Sequence, residues 1–286
     1  MRYLTIEEIH EEEAEILKQF IKFCDKNQII YYICGGTLLG AIRHKGFIPW
    51  DDDIDIMMPR KEFIKFEKLT QNKKIGDELE VISFYNGKLH YPFCKVINKK
   101  IKADDQFLKD KSEQFLWIDI FPMDGIPEDS NKNEKLYKKV IKTRKMIKTL
   151  YAEDSYIEDI TKSKIKKILK KILRLIATPG FKKKIIEKLD KLSQKYNYDK
   201  SKYVGGVLWG YGPQEKLLKS EIQNYKVEFE GMQVNTISCY DKYLTNLYGD
   251  YMKLPPLEAR ISHEIKLYRI GENGNGKNIN NINSSI

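Results

Sequence analysis

Apolar residues recur at helical spacing at the start of the chain. Thr5 and Glu8 have the spacing of a capping box, and large apolar side chains then return every three or four residues up to about Lys26. This pattern predicts an amphipathic helix. Residues 29–34 are rich in β-branched and aromatic side chains and stop at a pair of glycines, which predicts a strand entering a tight turn.

Short strands and helices alternate along the following part of the chain. Residues 37–42 predict the first turns of a second helix. Polar and apolar residues alternate over 53–56 as in a half-buried strand, and Pro59 ends this strand before a helix predicted at 60–69. Further strands are predicted at 80–84, 91–97, 115–121, 203–208 and 225–229, and further helices at 241–248 and after Pro255 and Pro256.

Residues 131–200 follow another pattern, because they are lysine-rich and predicted to be helical. Isoleucine and leucine recur at helical spacing from Ile165 to Ile176, and Thr178-Pro179-Gly180 interrupts the stretch. From Gly271 the Asn-, Gly- and Ser-rich composition predicts disorder. We therefore divide the chain into the first part of a core (1–130), an insert (131–200), a part that completes the core (201–270) and a tail (271–286).

The basic residues are concentrated in one segment of the chain. The whole chain has a formal net charge of +10, but residues 131–200 alone carry about +14, so the rest is mildly acidic. A domain that grips a polyanion would carry its basic residues around its chemical motifs. Nucleic acid is therefore not an expected partner.

The sequence also bears on location. The N-terminus is acidic where a signal peptide would be basic and then apolar, and no apolar run reaches the roughly 18 to 20 residues that span a bilayer. The four cysteines form no CxxC pair, which disfavours a zinc site or a disulfide framework. We therefore expect a cytoplasmic protein whose cysteines are small buried hydrophobes.

Four aspartates within five positions, Asp51-Asp52-Asp53-Ile54-Asp55, form the first chemical motif. Residues two apart in a strand point to the same face, so Asp53 and Asp55 present parallel carboxylates while the isoleucines pack into the core. Such a pair suits Mg²⁺, or Mn²⁺, because these cations prefer oxygen ligands and share their coordination with substrate phosphates. An acidic run is often only solvated surface, but the interleaved isoleucines favour a metal site. Asp51 is a reserve ligand.

The pair of glycines lies just upstream of the aspartates. Gly35, Gly36 and Thr37 join a strand to a helix, where backbone amides and the positive helix end can hold phosphate oxygens and the hydroxyl can add a donor. Alone, such a turn is weak evidence. Ahead of paired aspartates it predicts a substrate-phosphate site and attack at phosphorus.

A third carboxylate is expected from a neighbouring strand. Asp119 is flanked by apolar residues in the 115–121 run, and a metal would explain an aspartate that is costly to bury uncompensated. It is the predicted third ligand and catalytic carboxylate, although a structural aspartate is the alternative. Asp124 is expected to cap a turn.

Several other side chains are candidates for substrate contact. Arg43 and His44 could neutralise a leaving nucleotide or simply form a basic surface loop. Lys95 sits within a predicted strand, where phosphate contact competes with snorkelling to the surface. His263, near Arg260, is a candidate substrate-binding residue with little support of its own.

Three stretches together resemble one known family, the LicD family. They are YICGGTLLGAIRHKGFIPW at 32–50 followed by the aspartate run, WIDIFPMDG at 117–125, and YGDYM at 248–252 leading through two prolines to His263. The resemblance extends from about residue 25 to 265, with 131–200 as a poorly matched insert. It implies an α+β, nucleotidyltransferase-like fold in which helices flank a mixed β-sheet. Fukutin-type proteins, which use CDP-ribitol, are similar to the same family.

The resemblance implies a reaction as well as a fold. A phospho-alcohol, most commonly phosphocholine, would pass from a CDP-alcohol donor, with CDP-choline favoured, to a hydroxyl of a cell-surface glycan or its lipid-linked precursor, with release of CMP. On the family pattern Asp53 and Asp55 match the metal-binding pair, and Gly35, Gly36 and Thr37 match the phosphate turn. The rival hypotheses are a nucleotidyltransferase that releases pyrophosphate and a non-catalytic protein that binds lipid or polyanions.

Two features remain open at the level of sequence. If the alcohol is choline, its quaternary ammonium calls for an aromatic wall, for which Trp50, Trp117 and Trp209 are candidates alongside their alternative role in core packing. The insert at 131–200 could be a solvated lid, an acceptor-recruiting arm, or a surface that rests on anionic lipid at the inner face of a membrane. Docking of its apolar stripe onto the core would explain the same pattern.

Overall fold

The computed structural model describes residues 2–104, 114–151, 163–260 and 265–271. Two kinds of element, helices and strands, alternate along the chain as an α+β fold. The helices are α1 (Ile6–Lys26), α2 (Gly35–His44), α3 (Arg60–Thr70), α4 (Ser130–Tyr151), α5 (Lys164–Ile176), α6 (Pro179–Ser193) and α7 (Tyr240–Tyr248). The strands are β1 (Tyr32–Ile33), β2 (Asp55–Pro59), β3 (Leu79–Ser83), β4 (Cys94–Ala103), β5 (Phe115–Ile126), β6 (Tyr203–Gly205), β7 (Leu217–Leu218), β8 (Asn224–Phe229), β9 (Met232–Ile237) and β10 (Leu267–Arg269).

One mixed sheet forms the centre of the molecule. Its main path runs β1-β2-β5-β4-β10, with β3 paired to β4 and with β6 and β7 extending from β5. Strands β2 and β5 are parallel, and the remaining pairs are antiparallel. A separate hairpin consists of β8 and β9. The predicted mixed sheet flanked by helices is confirmed.

Helix α1 forms where the sequence predicts it. Thr5 accepts a hydrogen bond from the Glu8 backbone, and the Glu8 side chain accepts one from the Thr5 backbone, which completes the capping box. The helix buries a face that includes Ile16, Leu17 and Phe20 in the main core. Burial of large apolar side chains on one face, about 1.5–3 kcal/mol each, is the main reason that this helix is stable.

Several boundaries differ from the prediction. Strand β1 contains two residues, because α2 begins at Gly35 rather than at Thr37. Strand β2 begins at Asp55, so Asp53 precedes the strand instead of lying within it. The helix predicted after the two prolines is a single 3₁₀ turn, Leu257–Ala259, and the run predicted at 203–208 pairs only over Tyr203–Gly205. The predicted disordered tail lies outside the described residues beyond 271.

Asp124 does not cap a turn, contrary to the prediction. It lies in β5, where its carboxylate accepts two hydrogen bonds from Arg60, from Nε at 2.7 Å and from a terminal nitrogen at 2.5 Å. Arg60 also donates to Ser193 and approaches Asp190 at 3.4 Å, both at the end of α6. Arg60, on α3, thus pairs with a buried aspartate of the sheet and also contacts the end of the insert.

The insert packs partly against the sheet. Helices α4 and α6 bury Tyr137, Val140 and Leu189 in a second apolar cluster that also contains Phe93 and Phe121 from the core. Helix α5 buries none of its residues, and its isoleucine and leucine stripe is exposed. The interpretation that this stripe docks onto the core is therefore wrong for the described part of the chain.

The cysteine prediction is confirmed for three of four residues. Cys24, Cys34 and Cys94 are buried and reduced, while Cys239 is half-buried and reduced. Burial raises the pKa of the Cys34 and Cys94 thiols well above the usual value, so neither is poised as a nucleophile. No helix among the described residues combines the length and apolar character needed to cross a membrane.

Candidate active site

The sheet register brings two acidic motifs together. Because β2 and β5 are parallel neighbours, Asp55 lies directly opposite Asp119. Both side chains, with Asp53, line a cavity of about 960 Å³, at the upper end of the range for ligand sites. Gly35 and Met57 line the same cavity. The three aspartates therefore meet Gly35 in one cavity, while the other two residues of the predicted turn, Gly36 and Thr37, are not among its lining residues.

The aspartates repel one another. Burial raises the pKa of the Asp55 carboxyl well above its usual value, and the charges of Asp53, Asp119 and Asp51 raise it further. The Lys95 charge lowers the pKa of Asp55, but its contribution is smaller than that of burial or of any of the three aspartates. A cation placed among these carboxylates would relieve the repulsion and favour their charged forms.

The donor set fits a hard divalent cation. Among the described residues, no three acidic, His or Cys groups converge closely enough to enclose a metal ion by themselves. Mg²⁺ sites that act on phosphates commonly use one or two carboxylates and complete their shell with substrate oxygens and water. Asp53 and Asp55 fit such a site, and the role of Asp119 as a third ligand stays a prediction.

The turn before α2 positions Asp55. The Asp55 backbone N–H donates to Thr37 Oγ1 at 2.8 Å, and its carbonyl accepts from the Cys34 N–H at 3.0 Å. Gly35 has a left-handed φ of +55°, and its own N–H donates to the Tyr243 hydroxyl at 3.3 Å. Thr37 therefore holds the aspartate strand, and contacts of this turn with a substrate phosphate stay a prediction.

Gly35→Ala is expected to lower activity more than stability. A Cβ there would lie 3.1 Å from Asp55 Oδ2, and the left-handed backbone adds about 1–2 kcal/mol of strain. We expect about a tenfold or larger loss of kcat with displaced Asp55. Gly87→Ala is the matched control, because φ is +76° there and nothing lies within 4 Å. Equal kcat losses in the two variants would contradict a positioning role for Gly35.

Asp119 is held by Trp117 on its own strand, β5, and by Lys95 on the adjacent strand, β4. Trp117 Nε1 donates to Asp119 Oδ2 at 2.9 Å, and Lys95 Nζ lies 3.4 Å from Oδ1. Lys95 is buried, with its ammonium 3.8 Å from the centre of the Trp117 ring. The lysine that the sequence assigned to phosphate contact thus neutralises Asp119, and it does not reach the surface. Direct contacts of Lys95 and Trp117 with substrate stay predictions.

The remaining predicted contacts lie outside the set of cavity-lining residues. Arg43 donates to His44 at 2.9 Å and to the Tyr251 carbonyl at 2.9 Å. Trp50 packs against His44 and lies under the Arg260 guanidinium, 4.9 Å from its ring centre. His263 lies outside the described residues. The structure therefore groups Arg43, His44 and Trp50 together, outside the set of cavity-lining residues.

Sequence reasoning missed Glu13, a fourth carboxyl group beside the aspartates. Its side chain is 1% exposed, and Oε2 has no hydrogen-bond partner among the described residues. Burial raises the pKa of Glu13 well above its usual value, and the charges of Asp53 and Asp52 raise it further. The signal was available, because Glu13 falls on the apolar face of α1 between Ile9 and Ile16.

A loop after β6 forms another wall of the cavity, of which the sequence had indicated only Trp209. Trp209 and Tyr211 line the cavity, and Glu215 holds the loop by accepting a hydrogen bond from the Tyr211 N–H at 2.6 Å. Burial raises the pKa of Glu215 to about 7 against the opposing effect of its backbone hydrogen bonds. Of the three candidate tryptophans, Trp209 is the one among the cavity-lining residues.

The insert supplies a basic wall to the same cavity. Arg144, Lys145 and Lys148 of α4 and Lys170 of α5 are among the lining residues. Arg144 donates to the Gly210 carbonyl at 3.0 Å, and its guanidinium lies 5.0 Å from the centre of the Trp209 ring. The cavity therefore has acidic groups from the sheet and basic groups from the insert.

The fold and site define a class of protein. A mixed sheet with a Gly-Gly turn, an aspartate motif on one strand and a further aspartate on the adjacent parallel strand is the arrangement of a nucleotidyltransferase domain. Residues 28–168 match the family described as LicD/FKTN/FKRP, nucleotidyltransferase domain. The chain belongs to the LicD family, as the sequence motifs predicted.

Relatives extend the match over nearly the whole chain. The lipopolysaccharide cholinephosphotransferase LicD of Haemophilus influenzae is 33% identical over 274 residues, which cover 93% of this chain and 98% of the relative. An uncharacterized protein of Rickettsia prowazekii is 32% identical over 124 residues, 43% of each chain. One of Rickettsia typhi is 38% identical over 96 residues, 29% of this chain and 31% of the relative. The first match includes the insert, which the sequence motifs alone had left outside the resemblance.

Proposed function

We propose that this protein transfers phosphocholine from CDP-choline to a hydroxyl of a cell-surface glycan or its lipid-linked precursor, releasing CMP. The observation that carries the proposal is the meeting of Asp53, Asp55 and Asp119 in one cavity beside the Gly35 turn. Near-complete alignment with a relative named as a lipopolysaccharide cholinephosphotransferase supports the same chemistry and the choice of choline.

The reaction is an in-line displacement at the β-phosphorus. The acceptor oxygen forms a bond to this phosphorus, the bond to the bridging oxygen breaks, and its electron pair leaves with CMP. Asp53 and Asp55 would hold Mg²⁺, or Mn²⁺, which when bound neutralises the charge of the diphosphate. Thr37 keeps Asp55 in place through the hydrogen bond to its backbone N–H.

Asp119 is the proposed base for the acceptor hydroxyl. It lies opposite Asp55 on the adjacent parallel strand, and both residues line the same cavity. The hydrogen bond from Trp117 and the Lys95 ammonium 3.4 Å away hold the carboxylate in place, where an ionised oxygen can accept the proton of the acceptor hydroxyl.

The charges of the cavity suggest how the donor lies in it. The Trp209 ring already faces Arg144 at 5.0 Å and Lys148 at 5.4 Å, so a quaternary ammonium would meet repulsion there. Tyr211 also lines the cavity, and its hydroxyl lies close to Gly35 on the acidic side. We place the choline cation toward Tyr211 and the anionic groups of nucleotide or acceptor toward the insert.

The released product tests the proposal. The protein is incubated with Mg²⁺, a glycan acceptor extract and, in separate reactions, CDP-choline, CDP-ribitol or CTP. We expect CMP from CDP-choline, with acceptor-dependent yield, and no pyrophosphate from CTP. Release of pyrophosphate would identify a nucleotidyltransferase instead, while CMP from CDP-ribitol alone would keep the reaction and change the alcohol.

The proposed location follows from the substrates. CDP-alcohols are nucleotide-activated compounds of the cytoplasm, so the reaction is placed there. A lipid-linked acceptor would be reached at the inner face of a membrane.

A further inference from the structure

Helix α5 turns its apolar side away from the described part of the protein. Six of its residues, which we name the α5 stripe, are between 46% and 85% exposed: Ile165, Ile168, Leu169, Ile172, Leu175 and Ile176. Their spacing of three, four and seven positions places most of them on one face. Phe181, at the start of α6, is also 39% exposed.

The orientation is the reverse of an ordinary surface helix. Lys167, Lys170, Lys171 and Arg174 are half-buried, and Lys170 lines the cavity, while the residues of the α5 stripe are exposed. A helix at a solvated surface normally buries its apolar face and exposes its charges. A contiguous exposed apolar surface of this kind indicates a binding surface.

The charge of the helix selects its partner. Helix α5 contains five lysines and one arginine and no acidic residue, and α6 begins with three more lysines at 182–184. Two copies of this chain facing each other through α5 would bring like charges together. An anionic lipid surface accepts both the apolar side chains and the cations, since the former enter the boundary of the acyl chains and the latter meet headgroups.

We propose that the α5 stripe lies in the surface of an anionic membrane and anchors the protein there peripherally. A helix of this length extends about 20 Å along the surface. Lys164, Lys166 and Lys183 are exposed and would contact headgroups. This membrane docking does not rest on the proposed reaction. One consequence of docking does rest on it: because Lys170 of α5 lines the cavity, the active site would open beside a lipid-linked acceptor.

Vesicle binding tests the docking with the full chain. Co-sedimentation is measured with phosphatidylcholine vesicles and with vesicles containing phosphatidylglycerol, without donor or acceptor. We expect at least about tenfold tighter binding to the anionic vesicles, weakened by salt. The triple variant Ile168→Ser, Leu169→Ser and Ile172→Ser should lose about tenfold or more of this affinity. Its thermal unfolding should match the wild type, because the replaced side chains are exposed.

A matched control replaces three exposed apolar residues by serine on other surfaces of the protein. Ile30→Ser, Ile64→Ser and Leu257→Ser replace side chains that are 48%, 39% and 75% exposed away from α5, and should leave vesicle binding unchanged. The proposal is overturned if the α5 variant binds like the wild type, or if wild type binds neutral and anionic vesicles equally or not at all. A wild-type dimer in sedimentation velocity that the α5 variant converts to monomer would also overturn it. None of these results depends on CMP release, so the proposed reaction is judged separately.

Discussion

Replacing Asp55 by asparagine is expected to lower kcat/KM for CMP release by about 10³-fold, or about 4 kcal/mol of transition-state stabilisation. The amide removes a charged oxygen ligand for the cation while keeping the size of the side chain. Asp53→Asn should have an effect of the same order, because both carboxylates line the cavity beside the glycine turn. The measurement is steady-state CMP release from CDP-choline at several Mg²⁺ concentrations.

The same variants should be at least as stable as the wild type without metal. Asp55 is crowded by Asp53, Asp119 and Asp51, whose charges raise its pKa, so removing one carboxylate relieves repulsion. A loss of activity with an unchanged or higher Tm therefore separates a chemical role from unfolding. Asp52→Asn is the control in the same acidic run, since Asp52 does not line the cavity, and activity within about threefold of wild type is expected.

Two results would contradict this assignment. The first is activity within about tenfold of wild type in both Asp53→Asn and Asp55→Asn, which would exclude the pair as essential ligands. The second is a loss as large in Asp52→Asn as in Asp55→Asn at equal stability. In that case the acidic run would act through its total charge, and the cavity geometry would not select the ligands.

Local patterns made part of the fold and site predictable. Helix α1 has both a capping box and a long apolar face, so its sequence contains its own start signal and its own buried side. Asp119 could be chosen because it interrupts an apolar strand, and the register with Asp55 then places it in the cavity. Alternation over 53–56 predicted the strand but not its first residue, because the paired strand β2 begins only at Asp55.

Contacts between distant segments were not predictable from the same patterns. Arg144 and Gly210 are 66 positions apart, and no periodicity in either segment indicates that α4 supports the loop of Trp209. Strands β6 and β7 contain three and two residues, too few to show alternation. The direction in which α5 faces also depends on packing, since an apolar stripe has the same sequence whether it meets the core or faces outward.

Replacing Arg60 by methionine is expected to reduce the free energy of unfolding by about 3–5 kcal/mol near neutral pH. Arg60 is 8% exposed at its side chain and Asp124 only 2%, so the substitution leaves a buried carboxylate without its cation. Ser193 and Asp190 on α6 lose a common partner as well. The contact between the sheet and the insert should weaken, which urea unfolding of the full chain would detect as a lower midpoint.

The dependence of this loss on pH has a defined sign. Burial raises the pKa of Asp124 above its usual value, and Arg60 opposes that increase. Without Arg60 the folded-state pKa rises further, so the folded protein binds a proton more readily than the unfolded chain. Stability of the variant should therefore fall as pH rises from the unfolded pKa, about 4, toward neutrality. The loss of unfolding free energy relative to the wild type should therefore be smaller near pH 5 than near pH 7.

The double variant Arg60→Met with Asp124→Leu tests whether the unpaired Asp124 carboxylate causes the loss of stability. Removing both charges leaves no buried carboxylate to desolvate, and apolar replacements of buried ion pairs are often nearly neutral. The double variant should therefore recover a large part of the stability lost by Arg60→Met alone, and it should lack the fall in stability with rising pH that Asp124 causes in the single variant. A double variant as unstable as the single one, or a single-variant loss below about 1 kcal/mol, would mean that side-chain packing rather than charge pairing joins the insert to the sheet.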